Sequence, residues 1–168
     1  IASISSETFS CVSTPIQYAA VQAYTDYETV DEYLIHSRRV LSAVGSYCAN
    51  SLAKAGVRVR VPSGAFYLFP DFENFREKLT ERGLTNSPEL CEQLLQDTGV
   101  ALLPGSEFGC DATELNARLA YINFDGTKAL KISKQIPTDK IMTIDDIMPI
   151  CADVIEAIDR ITKWLQAF

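Results

Sequence analysis

Positive charge is in short supply in this chain: 15 Lys and Arg stand against 22 Asp and Glu, a net charge of −7. A nucleic acid or an anionic membrane surface would need a basic stripe to neutralise phosphates, and this balance speaks against either as a partner. No apolar run reaches the roughly 18 residues of a membrane-crossing helix, and no charged-then-apolar leader opens the sequence. The expectation is a cytoplasmic protein with neither nucleic acid nor membrane among its partners. Cysteine is sparse and scattered: Cys11, Cys48, Cys91, Cys110 and Cys151 are odd in number and contain no Cys-x-x-Cys pair. Neither a disulfide framework nor a zinc site is signalled, so they read as reduced, mostly buried thiols and no metal is expected. The single histidine, His36, falls on the polar side of a helix whose apolar stripe includes Val30, Leu34, Leu41 and Val44. No Ser, Cys or Asp is placed by that pattern to orient it, so it reads as a surface residue. Phosphate loops of the Gly-Lys-Ser or Gly-x-Gly-x-x-Gly kind are missing, as are internal repeats and low-complexity tracts.

What is present suits one globular domain, residues 1–168, since 47% hydrophobic content over 168 residues can bury a single core. An extended lead-in to Ser13 precedes a helix that Thr14 caps and Pro15 starts, running to about Tyr24. Thr29 to Glu32 has the form of a capping box and announces a longer helix that Gly56 stops. Val57 to Val61 alternates apolar and basic, the period of a strand with one wet face, and Ala65 to Phe69 is aromatic enough for a second. A helix follows over Phe72 to about Arg82. Another opens at Ser87-Pro-Glu, with Ser87 as cap, and ends at Gly99. Val100 to Leu103 and Arg118 to Ile122 read as further strands. Beyond Gly126 come a short helix, a break at Ile136-Pro137, and a last helix started or kinked by Pro149, with Ile150, Val154, Ile158, Ile161, Leu165 and Phe168 on one stripe. The fold class is therefore α/β, a small α+β layered domain with three or four strands packed by several helices.

Three segments carry the chemistry: Pro62-Ser-Gly-Ala-Phe-Tyr-Leu-Phe-Pro70, Val100-Ala-Leu-Leu-Pro-Gly-Ser-Glu-Phe-Gly109 and Ala117-Arg-Leu-Ala-Tyr-Ile-Asn-Phe-Asp-Gly126. Each is a short apolar strand bounded by Pro or Gly turns, and the last sets one guanidinium, Arg118, among residues that are otherwise core or sheet. Its parallel N–H donors match a carboxylate bidentately and stay charged in a desolvated pocket. From the residues alone, an ion pair with one of the many Asp or Glu side chains serves as well. Phe66 and Tyr67 read as sheet packing, and the Leu103 to Gly109 loop as a turn at a strand end.

In order and spacing these segments, with Ser5 to Ala20 before them, resemble the C-terminal half of a class I/II, fold-type I pyridoxal-phosphate aminotransferase, from about Ile4 to Gly126. The resemblance implies that Arg118 holds the substrate α-carboxylate, that the Leu103 to Gly109 loop moves as the small domain closes, and that Thr8, Ser10 and Ser13 lie near a subunit interface or a partner's cofactor. It implies amino-acid and 2-oxo-acid substrates, a homodimer for the full-length protein, and pyridoxal 5′-phosphate bound mainly by a half not included here. The family's catalytic lysine lies upstream of the matching stretch and the chain opens at Ile1 without Met, so the expectation is a fragment that has no catalytic residue and is inactive alone. Lys134 follows the arginine strand and reads as a solvated helix lysine. A C–S lyase, a cyclopropane-forming synthase or a non-catalytic interaction module built on the same fold are the other readings. Lys128 to Met148 is an insertion relative to the shortest family pattern.

Overall fold

The computed structural model describes residues 12–167, apart from the side chain of Thr29; Thr8, Ser10, Cys11 and Phe168 lie outside the described residues. The chain divides into two compact units, residues 1–35 and 36–168. Within the first, helix α1 spans Thr14–Thr25 with Pro15 in its first turn. Its N-cap is Ser13 in place of Thr14, because the Ser13 carbonyl takes the first helical bonds, from the Ile16 and Gln17 amides at 3.0 and 3.1 Å. Helix α2 spans Tyr27–Lys54. The helix starts ahead of the expected Thr29: the Asp26 carbonyl accepts from the Val30 amide at 3.3 Å, so the Thr29 backbone is already inside the first turn.

In the second unit α2 buries Val40, Val44, Cys48 and Leu52, one residue per turn at the spacing that keeps a helix face against a core. It ends where the sequence says it should. Gly56 sits at φ +99°, and the Gly56 and Val57 amides return to the carbonyls of Ala53 and Leu52, both at 3.0 Å, a left-handed cap that a Cβ would strain. The expected strand over Val57 to Val61 is absent. Only Arg58 pairs, exchanging backbone bonds of 2.9 and 2.8 Å with Asp71, and Pro62 then brings no donor to extend the ladder. The alternation survives only at the start, with Val57 buried, Arg58 exposed, Val59 half-buried and Arg60 exposed, while Val61 is exposed as well.

Strand β1 is Tyr67–Leu68, followed by a 3₁₀ turn at Glu73–Phe75 and helix α3 at Arg76–Glu81, where the sequence suggests one helix. Helix α4 runs Ser87–Thr98. Its cap is Asn86, whose Oδ1 accepts from the Glu89 amide at 2.9 Å, while Ser87, the expected cap, is one residue inside and fully buried. Gly99, at φ +72°, closes it. Strand β2 is Leu103–Pro104, a 3₁₀ turn occupies Gly105–Phe108, and strand β3 is Ala117–Ala120. The sheet has three strands in the order β1-β3-β2, with β3 antiparallel to both neighbours.

Helix α5 spans Gly126–Gln135, capped by Asp125, and helix α6 spans Ala152–Gln166, just after Pro149. The expected stripe of α6 is buried at Val154, Ile158, Ile161 and Leu165, which join Phe72, Leu79, Leu90 and Leu115 in one core. Cys48, Cys91 and Cys151 are buried and Cys110 is half-buried. Lys134 is exposed on α5.

His36 departs from the sequence reading. It is 7% exposed, with Nδ1 3.0 Å from the hydroxyl of fully buried Ser133. The helical wheel of α2 counts only its own apolar stripe, whereas α5 covers the flank that carries His36. One turn on, Arg39 donates to the carbonyls of Ser133, Ile136, Pro137 and Lys140 at 2.8–3.0 Å. That single guanidinium ties the end of α5 to the segment 136–140 that follows.

Candidate functional site

The sheet presents two unlike faces, and the period of two along each strand decides which residue meets which. On the core side Ala117 and Leu119 of β3 are 0% and 5% exposed, and Leu68 of β1, opposite Leu119, is 3% exposed. The other face carries Arg118, half-buried, opposite Leu103 of β2, with Tyr67 opposite Ala120. Arg118 is the one charged residue in the three strands. Its neighbours there, Tyr67, Phe69 and Leu103, are large exposed apolar side chains, as is Phe108 from the adjoining turn.

Two aromatic rings grip the guanidinium. Its carbon lies 4.4 Å from the centroid of Tyr67 and 4.4 Å from that of Phe108, and Phe69 meets Phe108 edge-on at 6.1 Å. Ring faces attract a cation but offer no lone pairs. Among the described residues, no carboxylate stands within ion-pair distance of Arg118 and no oxygen accepts a hydrogen bond from it. The internal ion pair that the sequence left open therefore has no partner there.

Each ring is placed by its own device. Phe108 ends the 3₁₀ turn, which Gly109 closes at φ +83°. The Gly105 amide donates to the Asn116 carbonyl at 3.0 Å, and a Cβ at Gly105 would stand 1.6 Å from Asn116 Oδ1, so only glycine fits this approach. Asn116, 6% exposed, is tied in turn to Glu114 by a 2.8 Å bond from Nδ2. Tyr67 follows the Pro62 to Phe66 turn into β1.

The sequence marks Arg118 but not its clasp. Tyr67 reads there as sheet packing, yet the buried neighbour is Leu68, and the pairing of β1 with β3 turns Tyr67 to the Arg118 side. Alternation along Phe66-Tyr67-Leu68 held that signal. Phe108 reads as part of a turn, and nothing local announces its reach to Arg118. The Leu103 to Gly109 segment is a turn at a strand end, as expected.

Against known proteins, residues 2–129 match the family described as Aminotransferase class I and II. The chain belongs to that family. Asparagine–oxo-acid transaminase of Streptococcus mutans is 35% identical over 119 residues, covering 70% of this chain and 28% of that protein. An aspartate aminotransferase of Thermotoga maritima is 34% identical over 108 residues, 64% of this chain and 24% of its own length. Among solved structures, an aspartate aminotransferase from Thermotoga maritima aligns with a TM-score of 0.54 at 26% identity, over 98% of this chain and 32% of that one. The chain thus spans about a quarter of the length of these curated relatives. All three motif segments, and Arg118 with them, lie inside the family match, while most of α5 and all of α6 lie beyond it.

Proposed function

We propose that this chain is the substrate-closing part of a pyridoxal-phosphate aminotransferase that exchanges an amino group between an L-amino acid and a 2-oxo acid, and that Arg118 binds the substrate α-carboxylate. The observation that carries the proposal is a guanidinium gripped by two rings at 4.4 Å with no acceptor among the described residues. A half-buried cation on an apolar face gains most from an anion that arrives with its own two oxygens, through charge-assisted bonds that strengthen as water leaves. The rings hold the long side chain in place, so less rotamer freedom remains to be lost when the ligand docks. When the domain closes, Tyr67, Phe69, Leu103 and Phe108 would exclude water around the carboxylate, and two-point anchoring would fix the orientation of the Cα bonds.

This face fits the substrate and not the cofactor itself. No lysine occurs in the strands or in the Leu103 to Gly109 loop, and the proposal puts the catalytic lysine and the cofactor site in the part of the relatives' length that this chain does not span. Pyridoxal phosphate, when bound, supplies the electron sink for bond cleavage at Cα. The dimeric, cytoplasmic enzyme belongs to the same proposal.

The test is steady-state kinetics of the full-length protein carrying Arg118→Ala or Arg118→Lys. Removing the guanidinium should raise KM for the amino acid by roughly 100-fold and leave cofactor affinity unchanged. Lysine, lacking the planar fork, should recover only part of the loss. An unchanged KM in Arg118→Ala contradicts the proposal.

A further inference from the structure

Ala65 is the one described non-glycine residue with positive φ, at +58°, a conformation in which a Cβ crowds the following carbonyl. The strain falls on alanine although Gly64 stands beside it, so something outside the local sequence holds the turn. Packing does not: Ser63, Gly64 and Ala65 are all exposed, and a void of about 210 Å³ lies among the turn, Leu41, Ser42 and Tyr121. The remaining ties come from one residue. Tyr121, 1% exposed, donates its hydroxyl to the Ala65 carbonyl at 3.1 Å and its amide to the Phe66 carbonyl at 3.2 Å. Its ring tip fits a notch in α2 made by Gly45, where a Cβ would come within 2.8 Å of the hydroxyl and 2.7 Å of Pro62 Cγ. Burial, with the Cys48 thiol nearby, pushes the Tyr121 phenol above its ordinary range, so the hydroxyl keeps the proton it donates. Two residues after Ala65 comes Tyr67, whose ring lies against Arg118.

We infer that Tyr121 is a positioning residue for substrate binding: seated on Gly45, its hydroxyl latches Ala65 in the left-handed turn and so sets where Tyr67 holds Arg118. The inference rests on the proposed role of Arg118 and adds a residue that touches neither substrate nor cofactor. Because Ala65 is an exposed residue in a part-buried hydrogen bond, water can take the place of a lost hydroxyl, and the consequence is a turn free to relax rather than an orphaned buried acceptor.

The experiment uses the full-length protein with Tyr121→Phe, which keeps the ring and removes only the hydroxyl, alone and combined with Ala65→Gly. Tyr121→Phe should raise KM for the amino acid by roughly 3- to 10-fold with a smaller change in kcat, and should speed amide hydrogen exchange at Phe66 to Leu68. Ala65→Gly, which adopts the left-handed conformation without strain, should return both toward wild type, a rescue that loss of core packing at Tyr121 would not show. If Tyr121→Phe leaves KM and exchange unchanged while Arg118→Ala raises KM, the latch is wrong and the carboxylate site stands. A raised KM that Ala65→Gly does not restore also overturns it. Faster exchange with rescue, but no effect of Arg118→Ala on KM, overturns the carboxylate reading and with it the link from latch to substrate.

Discussion

Tyr67 and Phe108 touch Arg118 through ring faces, so their contribution is orientation and partial desolvation more than charge. Replacing either ring with leucine in the full-length protein should raise KM for the amino acid by roughly 2- to 5-fold, the scale of one half-exposed cation–π contact; an effect as large as that of Arg118→Ala would make the ring a direct ligand instead. The thiols are a second residue-scale matter. Burial pushes Cys48 up to about 12 and Cys91 and Cys151 up to about 11, leaving almost no thiolate at neutral pH. Brief alkylation of the native protein at pH 8, read by peptide mass spectrometry, should label Cys110 and spare those three. At this scale the sequence was uneven. Arg118 stood out because a guanidinium among strand residues needs an anion, while His36 was misplaced because a single element's periodicity says which face a side chain takes, not what covers that face.

Elements whose ends depend on local backbone chemistry were readable. Gly56 and Gly99 end α2 and α4 because both adopt positive φ, and Pro15 opens α1. Two caps shifted by one residue, to Ser13 and Asn86, since neighbouring polar residues compete for each helix start. Val57 to Val61 failed as a strand because a ladder needs a partner along its length, which no alternation can supply. Two predictions belong here. Gly105→Ala would force a Cβ to 1.6 Å from Asn116 Oδ1, displacing the turn that carries Phe108; thermal unfolding should show a loss of about 1–3 kcal/mol, and an unchanged Tm would mean the approach relaxes freely. The second concerns the tie between α4 and α6, where the Trp164 indole donates to Asp97 at 2.7 Å and Gln93 and Arg82 approach the same carboxylate at 2.8 and 3.3 Å. The Trp164 hydrogen bond, with those from Gln93 and Arg82, holds the Asp97 carboxyl below its usual range. A carboxylate whose folded value is depressed contributes stability above the unfolded value of about 3.9 and loses it as pH falls through the folded one. Denaturant midpoints should therefore decline below about pH 4, and Asp97→Asn should flatten that decline while lowering stability at pH 7. An identical slope in the variant would remove Asp97 from the account.

The molecule as a whole carries an apolar sheet face around one arginine and covers about a quarter of the length of its curated relatives. In the proposed enzyme that face closes over the substrate, so the chain supplies recognition and the remainder supplies the cofactor and its lysine. The α/β class and the family were legible because several segments recur in order over residues 2–129, a pattern that survives local misreadings of caps and strands. The clasp on Arg118 was not, since it joins residues from three separate segments that only the β1-β3-β2 pairing brings together. The most direct test is a binding cycle on the full-length protein, titrating wild type and Arg118→Ala with the amino acid and with the amine that lacks its carboxylate. The account predicts that the wild type prefers the amino acid by roughly 100-fold and that Arg118→Ala erases most of this preference by weakening the amino acid alone. A preference that persists undiminished in Arg118→Ala would place the carboxylate elsewhere and contradict the role assigned to this chain.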